Sequence, residues 1–228
     1  MDFSAGQTLL FNKPRGWSSF DVVRKVRNAI RIKKVGHAGT LDPLATGLLI
    51  LCTGKHTKTI ESIQGQEKEY LAHIKLGATT PCYDGEMPEE NHQDASHITQ
   101  EQIIAEMQTF VGEVEQTPPI FSAIKVDGKR AYKAARKGKE VKLKSRKIQV
   151  YEFTWLDWAD EPAECYARIR CSKGTYIRSL AHDLGQQLGV GAYLKGLQRT
   201  KIGDFHVEDA WEINDFVEQF RVPKEPNP

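Results

Sequence analysis

The stretch Gly36-His37-Ala38-Gly39-Thr40-Leu41-Asp42-Pro43-Leu44-Ala45-Thr46-Gly47-Leu48-Leu49-Ile50-Leu51-Cys52 sets one carboxylate in a Gly-rich turn and then runs into unbroken apolar sequence. A short apolar run bounded by turn signals reads as a buried strand, so Leu48 to Cys52 is expected inside a sheet. Pro43 lacks an amide donor and restricts the residue before it, which biases Asp42 away from helical geometry. Two readings of Asp42 are open at this point. It could cap a helix starting at Leu44. Alternatively, it could be a reactive carboxylate, which needs a rigid turn, close approach by a substrate and a cationic partner. Gly36, Gly39 and Gly47 could permit the approach.

Working outward, Thr8 to Asn12 reads as a strand that ends at Lys13-Pro14-Arg15-Gly16, where proline and glycine force a turn. Ser18 and Ser19 offer an N-cap, and Val22, Val23, Val26, Ala29 and Ile30 fall at helical spacing, leaving Arg24, Arg27 and Arg31 to the outer face. Lys55 to Ile63 and Thr99 to about Val111 read as helices, Tyr70 to Leu76 as a strand with one buried face, and residues 84 to 97 as a polar loop. Pro118 and Pro119 cannot continue a helix and turn the chain. Beyond them the pattern predicts a strand from Phe121 to Val126, a short helix from Ala131 to Lys137 and a strand from Ile148 to Leu156. Residues 164 to 171 alternate as a strand, and a turn at Ser172-Lys173-Gly174-Thr175 leads to a helix striped with Ile177, Leu180, Leu184 and Leu188. Strands and helices interleave irregularly and no repeat is visible. The expected fold class is therefore α+β, with a central mixed, mostly antiparallel sheet flanked by helices and loops. One domain is expected over residues 1–221, with a disordered tail over 222–228.

The chain has 228 residues, 39% hydrophobic and 27% charged, which fits a globular protein and argues against a disordered or membrane one. No apolar run approaches the roughly 20 residues that span a bilayer, and no secretory leader opens the chain, so a cytoplasmic location is expected. Cys52, Cys82, Cys165 and Cys171 form no C-x-x-C pair and read as buried or idle thiols, with no metal site. The net charge is only +2, but the charges are sorted along the chain. Lys125 to Lys147 holds eleven Lys or Arg against Asp127 and Glu140, Lys13 to Lys34 holds eight against Asp21, and Pro81 to Gln116 holds nine acids and no Lys or Arg. Such segregation suits a polyanion-binding face on a nearly neutral protein; a solvated basic hairpin balanced by an acidic helix would look the same from charge alone.

Ser172-Lys173-Gly174-Thr175-Tyr176-Ile177-Arg178 presents Lys, Tyr and Arg around a Gly turn, a set suited to an anionic ligand, with Arg178 able to grip a carboxylate or phosphate through two bonds. A cation at a helix N-terminus opposes the dipole, so some partner should hold Arg178 there. No Walker loop, dinucleotide fingerprint, H-E-x-x-H helix or G-x-S-x-G elbow is present.

Taken in order, Lys13-Pro14-x-Gly16-x-Ser18-Ser19, Gly36-His37-x-Gly39-x-Leu41-Asp42-Pro43-x-Ala45-Thr46-Gly47 and Cys171 to Arg178 strongly resemble the TruB family of tRNA pseudouridine synthases. Pro118-Pro119-x-Phe121-Ser122-Ala123-x-Lys125 and Leu197-x-Arg199-Thr200 are similar to further blocks of that family. The resemblance covers about residues 7 to 205 and implies the pseudouridine synthase fold and isomerisation of uridine 55 in the T-loop of tRNA, without a cofactor. It implies Asp42 as the catalytic aspartate, Arg178 as its pairing cation, and Tyr70 as a ring that stacks on the target base and takes the carbon 5 proton. It also places Tyr176 and Leu197 against the flipped nucleotide, His37 in the vacated stack, and Lys13 and Lys173 among the substrate-binding residues. An aspartate is ionised at neutral pH, as a nucleophile or base must be. A base buried in a folded loop must be flipped out to react, at a cost of a few kcal/mol.

The basic segment at about 123–147, with Lys125, Lys129, Arg130, Lys133 and Arg136, is then expected to grip the backbone of the tRNA T-arm. Only about 20 residues follow Phe205-His206-Val207, so no C-terminal PUA domain is expected, and stand-alone action without a guide RNA or protein partner is favoured. Two other readings stand beside this one. One is an RNA-binding or RNA-folding module in which Asp42 is merely a helix cap; the other is a glycosidic hydrolase, for which no second carboxylate can be placed.

Overall fold

A computed structural model describes residues 1–122, 125–126, 129–130 and 143–223. The chain divides into two compact units: residues 1–70 with 198–228, and residues 71–197. Strands β4 (Lys68–Leu76) and β10 (Ala192–Ile202) each contribute residues to both.

The first unit is built on β3 (Thr46–Thr53), which pairs antiparallel with β1 (Thr8–Lys13) and with the short β2 (Val35–His37). On its other side β3 runs parallel to β10, Gln198 facing Thr46 and Arg199 facing Gly47. β1 pairs in parallel with β12 (Trp211–Glu212), and β10 antiparallel with β11 (Phe205–His206), so the sheet is mixed. The five-residue apolar run Leu48 to Cys52 is explained by what lies on each face of β3. Leu49 and Leu51 pack with α1 (Ser19–Ile30) and α5 (Ile213–Phe220) through Val22, Val26, Ile213 and Phe216. Leu48, Ile50 and Cys52 pack on the opposite face with Ala38, Ile63 and Ile202. A strand covered on both faces has no reason to alternate.

α1 starts where its sequence says it should. Ser18 is extended, its side chain accepts from the Asp21 amide, and Asp21 answers from the third helical position, a full capping box. Its buried residues include all five apolar positions read from the sequence. The Lys55 to Ile63 segment is helical in two pieces, a 3-10 turn over Gly54–Thr59 and then α2 (Ile60–Gly65).

The second unit carries β9 (Glu164–Cys171) between β4 and β8 (Arg146–Trp158), with β5 (Gly112–Gln116) on the far edge of β8. β8 is antiparallel to both β5 and β9. α3 (Gln100–Thr109) opens on a Thr99–Gln102 capping box, packs on β8 and touches α4 (Ile177–Gln187). Ile103, Met107, Phe153, Ala167, Ile169, Leu180 and Leu184 are buried there. In the basic region only β6 (Lys125–Val126) and β7 (Lys129–Arg130) are described, as an antiparallel pair. Phe121 and Ser122 are in a bend, so the strand expected from Phe121 is shorter than the pattern suggested, and the helix expected over Ala131 to Lys137 lies outside the described residues. None of the four cysteines forms a disulfide, and all four are buried. Among the described residues, no helix is long and apolar enough to cross a membrane and no group of side chains could hold a metal ion.

One ionisable group is poorly housed. Asp183 on α4 lies half-buried, and burial pushes its carboxyl up to about 6. Nearby, Tyr83 stacks on His182 with ring centroids 3.8 Å apart, and burial together with the Asp183 charge raises the Tyr83 hydroxyl. Because the folded pKa of Asp183 lies above its unfolded value, its contribution is most favourable below pH ~4 and is lost as pH rises through about 6. Asp183→Asn is therefore expected to stabilise the chain by ~1–3 kcal/mol at pH 7.5 and by almost nothing at pH 4. Denaturant unfolding at the two pH values reads this difference directly.

Candidate active site

No helix starts at Leu44. Asp42 is exposed, and its carbonyl accepts from the Ala45 amide at 3.1 Å, closing a four-residue turn that passes directly into β3. The helix-cap reading of Asp42 is thereby corrected: Pro43 and Leu44 make a turn, and the next element is a strand. A tight turn leaves this carboxylate on the surface with no helix amides to satisfy.

Three other segments of the first unit brace the turn. The Lys13-Pro14-Arg15-Gly16 turn grips it at Pro43, whose carbonyl accepts from the Gly16 amide at 2.8 Å. Lys13 is fully buried, and its ammonium donates to the carbonyls of Trp17 at 2.6 Å, Pro14 at 3.0 Å and Pro43 at 3.5 Å. A buried ammonium needs such partners, and these tie two sequence motifs into one piece. Ser19, in the first turn of α1, uses one hydroxyl for both backbone groups of Leu41: it accepts from the amide at 2.8 Å and donates to the carbonyl at 3.1 Å.

The third brace is Arg199, a residue that sequence reasoning passed over as a mere motif member. It is 1% exposed. Its Nε donates to the Leu48 carbonyl at 2.8 Å and its Nη2 to the Gly39 carbonyl at 3.1 Å, while Tyr70 takes another hydrogen bond from the guanidinium. One planar cation thus joins the loop before Asp42, the strand after it and the Tyr70 ring. Gly47 is required for this arrangement: it has φ +93°, and a Cβ there would run into the Arg199 backbone across the parallel pair. The signal available in the sequence was a lone Arg inside an otherwise mixed strand, a pattern that rarely survives burial without several acceptors.

His37 ends β2, half-buried. Burial holds its imidazole below the usual range, a Gly39 backbone hydrogen bond opposing and the Arg199 charge adding to the effect. A neutral ring at physiological pH is suited to stacking rather than to carrying charge. Tyr70, 8% exposed, lies on the inner face of β4 in phase with Lys68 and Ala72.

In the second unit the turn before α4 is held from two sides. Gln116, 1% exposed, clamps the backbone of Tyr176, donating to its carbonyl at 3.0 Å and accepting from its amide at 2.8 Å. Arg146 donates to the Gly174 carbonyl and lies over the Tyr176 ring, 4.9 Å from the centroid. Arg178, 6% exposed in the first turn of α4, has the partner its unfavourable dipole position demanded: the Asp84 carboxylate at 3.3 Å, with the Cys82 and Phe121 carbonyls each at 3.1 Å. Asp84, 2% exposed, falls in the stretch read as a polar surface loop; a buried pairing across 94 positions leaves no local signal. Lys173 is exposed on the turn and Leu197 half-buried on β10. Lys125, Lys129 and Arg130 fall in the β6–β7 pair, and Lys133 and Arg136 lie outside the described residues.

A sequence model described as TruB family pseudouridylate synthase (N terminal domain) matches residues 27–177, and one described as tRNA pseudouridylate synthase B C-terminal domain matches 178–226. The chain is 51% identical to the tRNA pseudouridine synthase B of Parabacteroides distasonis, covering 96% of both chains. It is 47% identical to that of Flavobacterium johnsoniae, covering 96% of this chain and 98% of that protein. Among solved structures, it resembles a chain from a Cbf5–Nop10–Gar1 complex at 29% identity and a TM-score of 0.72, covering 95% of this chain and 54% of that one. It therefore spans about half the length of that solved chain.

Proposed function

Because the chain belongs to the TruB family of pseudouridylate synthases, we propose that it isomerises uridine to pseudouridine at position 55 in the T-loop of tRNA. The observation that carries the chemistry is Asp42: an exposed carboxylate in a turn braced by Lys13, Ser19 and Arg199, with no helix for it to cap. In the reaction the bond from N1 of the base to C1′ of the ribose breaks and a bond from C5 to C1′ forms; the C5 proton leaves and N1 gains one. Base and sugar are both retained, so no cofactor is needed to balance it.

Asp42 promotes cleavage of the glycosidic bond and Arg178 is the catalytic cation. Tyr70 stacks on the base and takes the C5 proton, its hydroxyl set by Arg199. Tyr176 and Leu197 contact the flipped nucleotide, His37 fills the space it vacates, and Lys13 and Lys173 complete the substrate set. Lys13 contributes through the turn it holds, since its ammonium already serves three carbonyls. The T-arm backbone is gripped by the 123–147 segment through Lys125, Lys129, Arg130, Lys133 and Arg136. The chain works in the cytoplasm as one catalytic domain with tRNA as its partner, and needs neither a guide RNA nor a protein subunit.

The position of modification tests this reading. An unmodified tRNA transcript treated with the protein, then with a carbodiimide that marks pseudouridine, is expected to stop reverse transcription at one T-loop uridine. Stops elsewhere, or none, would overturn the assignment.

A further inference from the structure

The sequence holds two basic stretches; the proposed function uses the one near residue 130 and, from the other, only Lys13. The other folds into the first unit. Lys13 turns inward, whereas Arg24 and Lys25 on α1 and Arg31 at its end are exposed and Arg27 is half-buried. Phe20, Arg24, Arg27 and Arg31 recur at helical spacing and form a single stripe about 16 Å long. Phe20 is 59% exposed, an unusual placement for an aromatic residue on a helix that buries five apolar neighbours. Arg24 is partly neutralised by Asp21 at 2.7 Å.

Beyond the helix, Arg31 adopts a left-handed conformation, and the exposed Lys33 and Lys34 follow. The Lys34 carbonyl accepts from the Gly54 amide at 3.0 Å, which joins this corner to the 3-10 turn carrying exposed Lys55 and Lys58. Among the described residues, none of Arg27, Arg31, Lys33, Lys34, Lys55 and Lys58 has a carboxylate within ion-pair distance. The helix C-terminus favours Arg27 and Arg31, but its dipole fades within one turn and does not account for the four lysines. Six uncompensated cations held together repel one another, a cost that a polyanion relieves.

Both ends of this surface are tied to the Asp42 turn. At one end Ser19, next to Phe20, holds Leu41. At the other, Lys34 leads into β2, three residues that end at His37, roughly 10 Å along the chain.

We propose that Phe20 with Arg27, Arg31, Lys33, Lys34 and Lys55 forms a second RNA-backbone site, which holds phosphates of the substrate strand while its uridine is presented to Asp42. The inference rests on the RNA-modifying reading of that turn. The cations take phosphates, and Phe20 offers a ring for an unstacked base.

The test is equilibrium binding of a labelled, unmodified tRNA transcript between about 0.05 and 0.3 M salt, where each lost phosphate contact lowers the log–log salt slope by about 0.7–0.9. The triple variant Arg31→Gln/Lys33→Gln/Lys34→Gln is expected to lose about 2–3 from the slope and to bind roughly tenfold or more weakly at the low-salt end. The charge-keeping variant Lys33→Arg/Lys34→Arg is expected to hold the wild-type slope, and Phe20→Ala to weaken binding at unchanged slope. A triple variant with the wild-type slope and affinity overturns the site. A slope lost as expected, in a chain that forms no pseudouridine, overturns the enzymatic reading and leaves this surface standing.

Discussion

Asp42→Asn is expected to lower pseudouridine formation by at least about 10³-fold while leaving tRNA affinity within a few-fold of wild type. The amide has nearly the same shape as the carboxylate but can neither attack a sugar carbon nor take a proton. The turn itself should survive, because the bonds that hold it come from backbone groups of Leu41, Asp42 and Pro43 and from Lys13, Gly16 and Ser19. Nucleoside analysis of treated tRNA reads the rate, and filter binding reads the affinity. Equal loss of both would mean that Asp42 serves binding and not chemistry.

The second large effect is expected at Arg199. Arg199→Ala leaves the Gly39 and Leu48 carbonyls and the Tyr70 hydroxyl without their shared donor in a buried site. Each unsatisfied group costs about 1–3 kcal/mol, so a loss of 3 kcal/mol or more in unfolding free energy is expected, enough to lower the midpoint of denaturation clearly. Arg199→Lys separates stability from positioning. An ammonium lacks the planar fork that reaches three acceptors, so this variant should recover part of the stability yet still turn over slowly, with Tyr70 and the Gly39 loop no longer held by one group. Full activity in Arg199→Lys would argue that the bracing of the turn has no bearing on the reaction.

Much of the fold could be read before the structure, and for physical reasons. α1 and α3 announce themselves through capping boxes and apolar spacing, both local devices. β9 alternates because one of its faces is solvated, and β3 does not because neither is. What went unread depended on distant partners. β10 buries positions without a clean period, and β2 and β12 are three and two residues long, too short for a pattern to show. α5 was legible in principle: Ile213, Phe216, Val217 and Phe220 recur at helical spacing, and Phe216 and Phe220 join Phe3 and Trp211 in an aromatic cluster. Its closeness to the proline-rich end of the chain hid it.

The same division runs through the site. The candidates Asp42 and Arg178 stand in contiguous sequence motifs, whereas Tyr70 has no motif of its own and was placed only by the resemblance to the family. Arg199 and Asp84 act across long separations and only the fold brings them to their partners. The structure also gives each motif a physical purpose: the Lys13 turn and the Asp42 turn form one object, joined at the Pro43 carbonyl. That is why a buried lysine and an exposed aspartate belong to the same argument.

The central claim, that Asp42 breaks a glycosidic bond and the base is rejoined through carbon 5, is tested most directly with a tRNA transcript carrying tritium at carbon 5 of uridine. The wild-type chain is expected to release the tritium of one uridine per tRNA into water with no free uracil, and Asp42→Asn none above background. Release of free uracil, or equal tritium release by the Asp42→Asn chain, would contradict it.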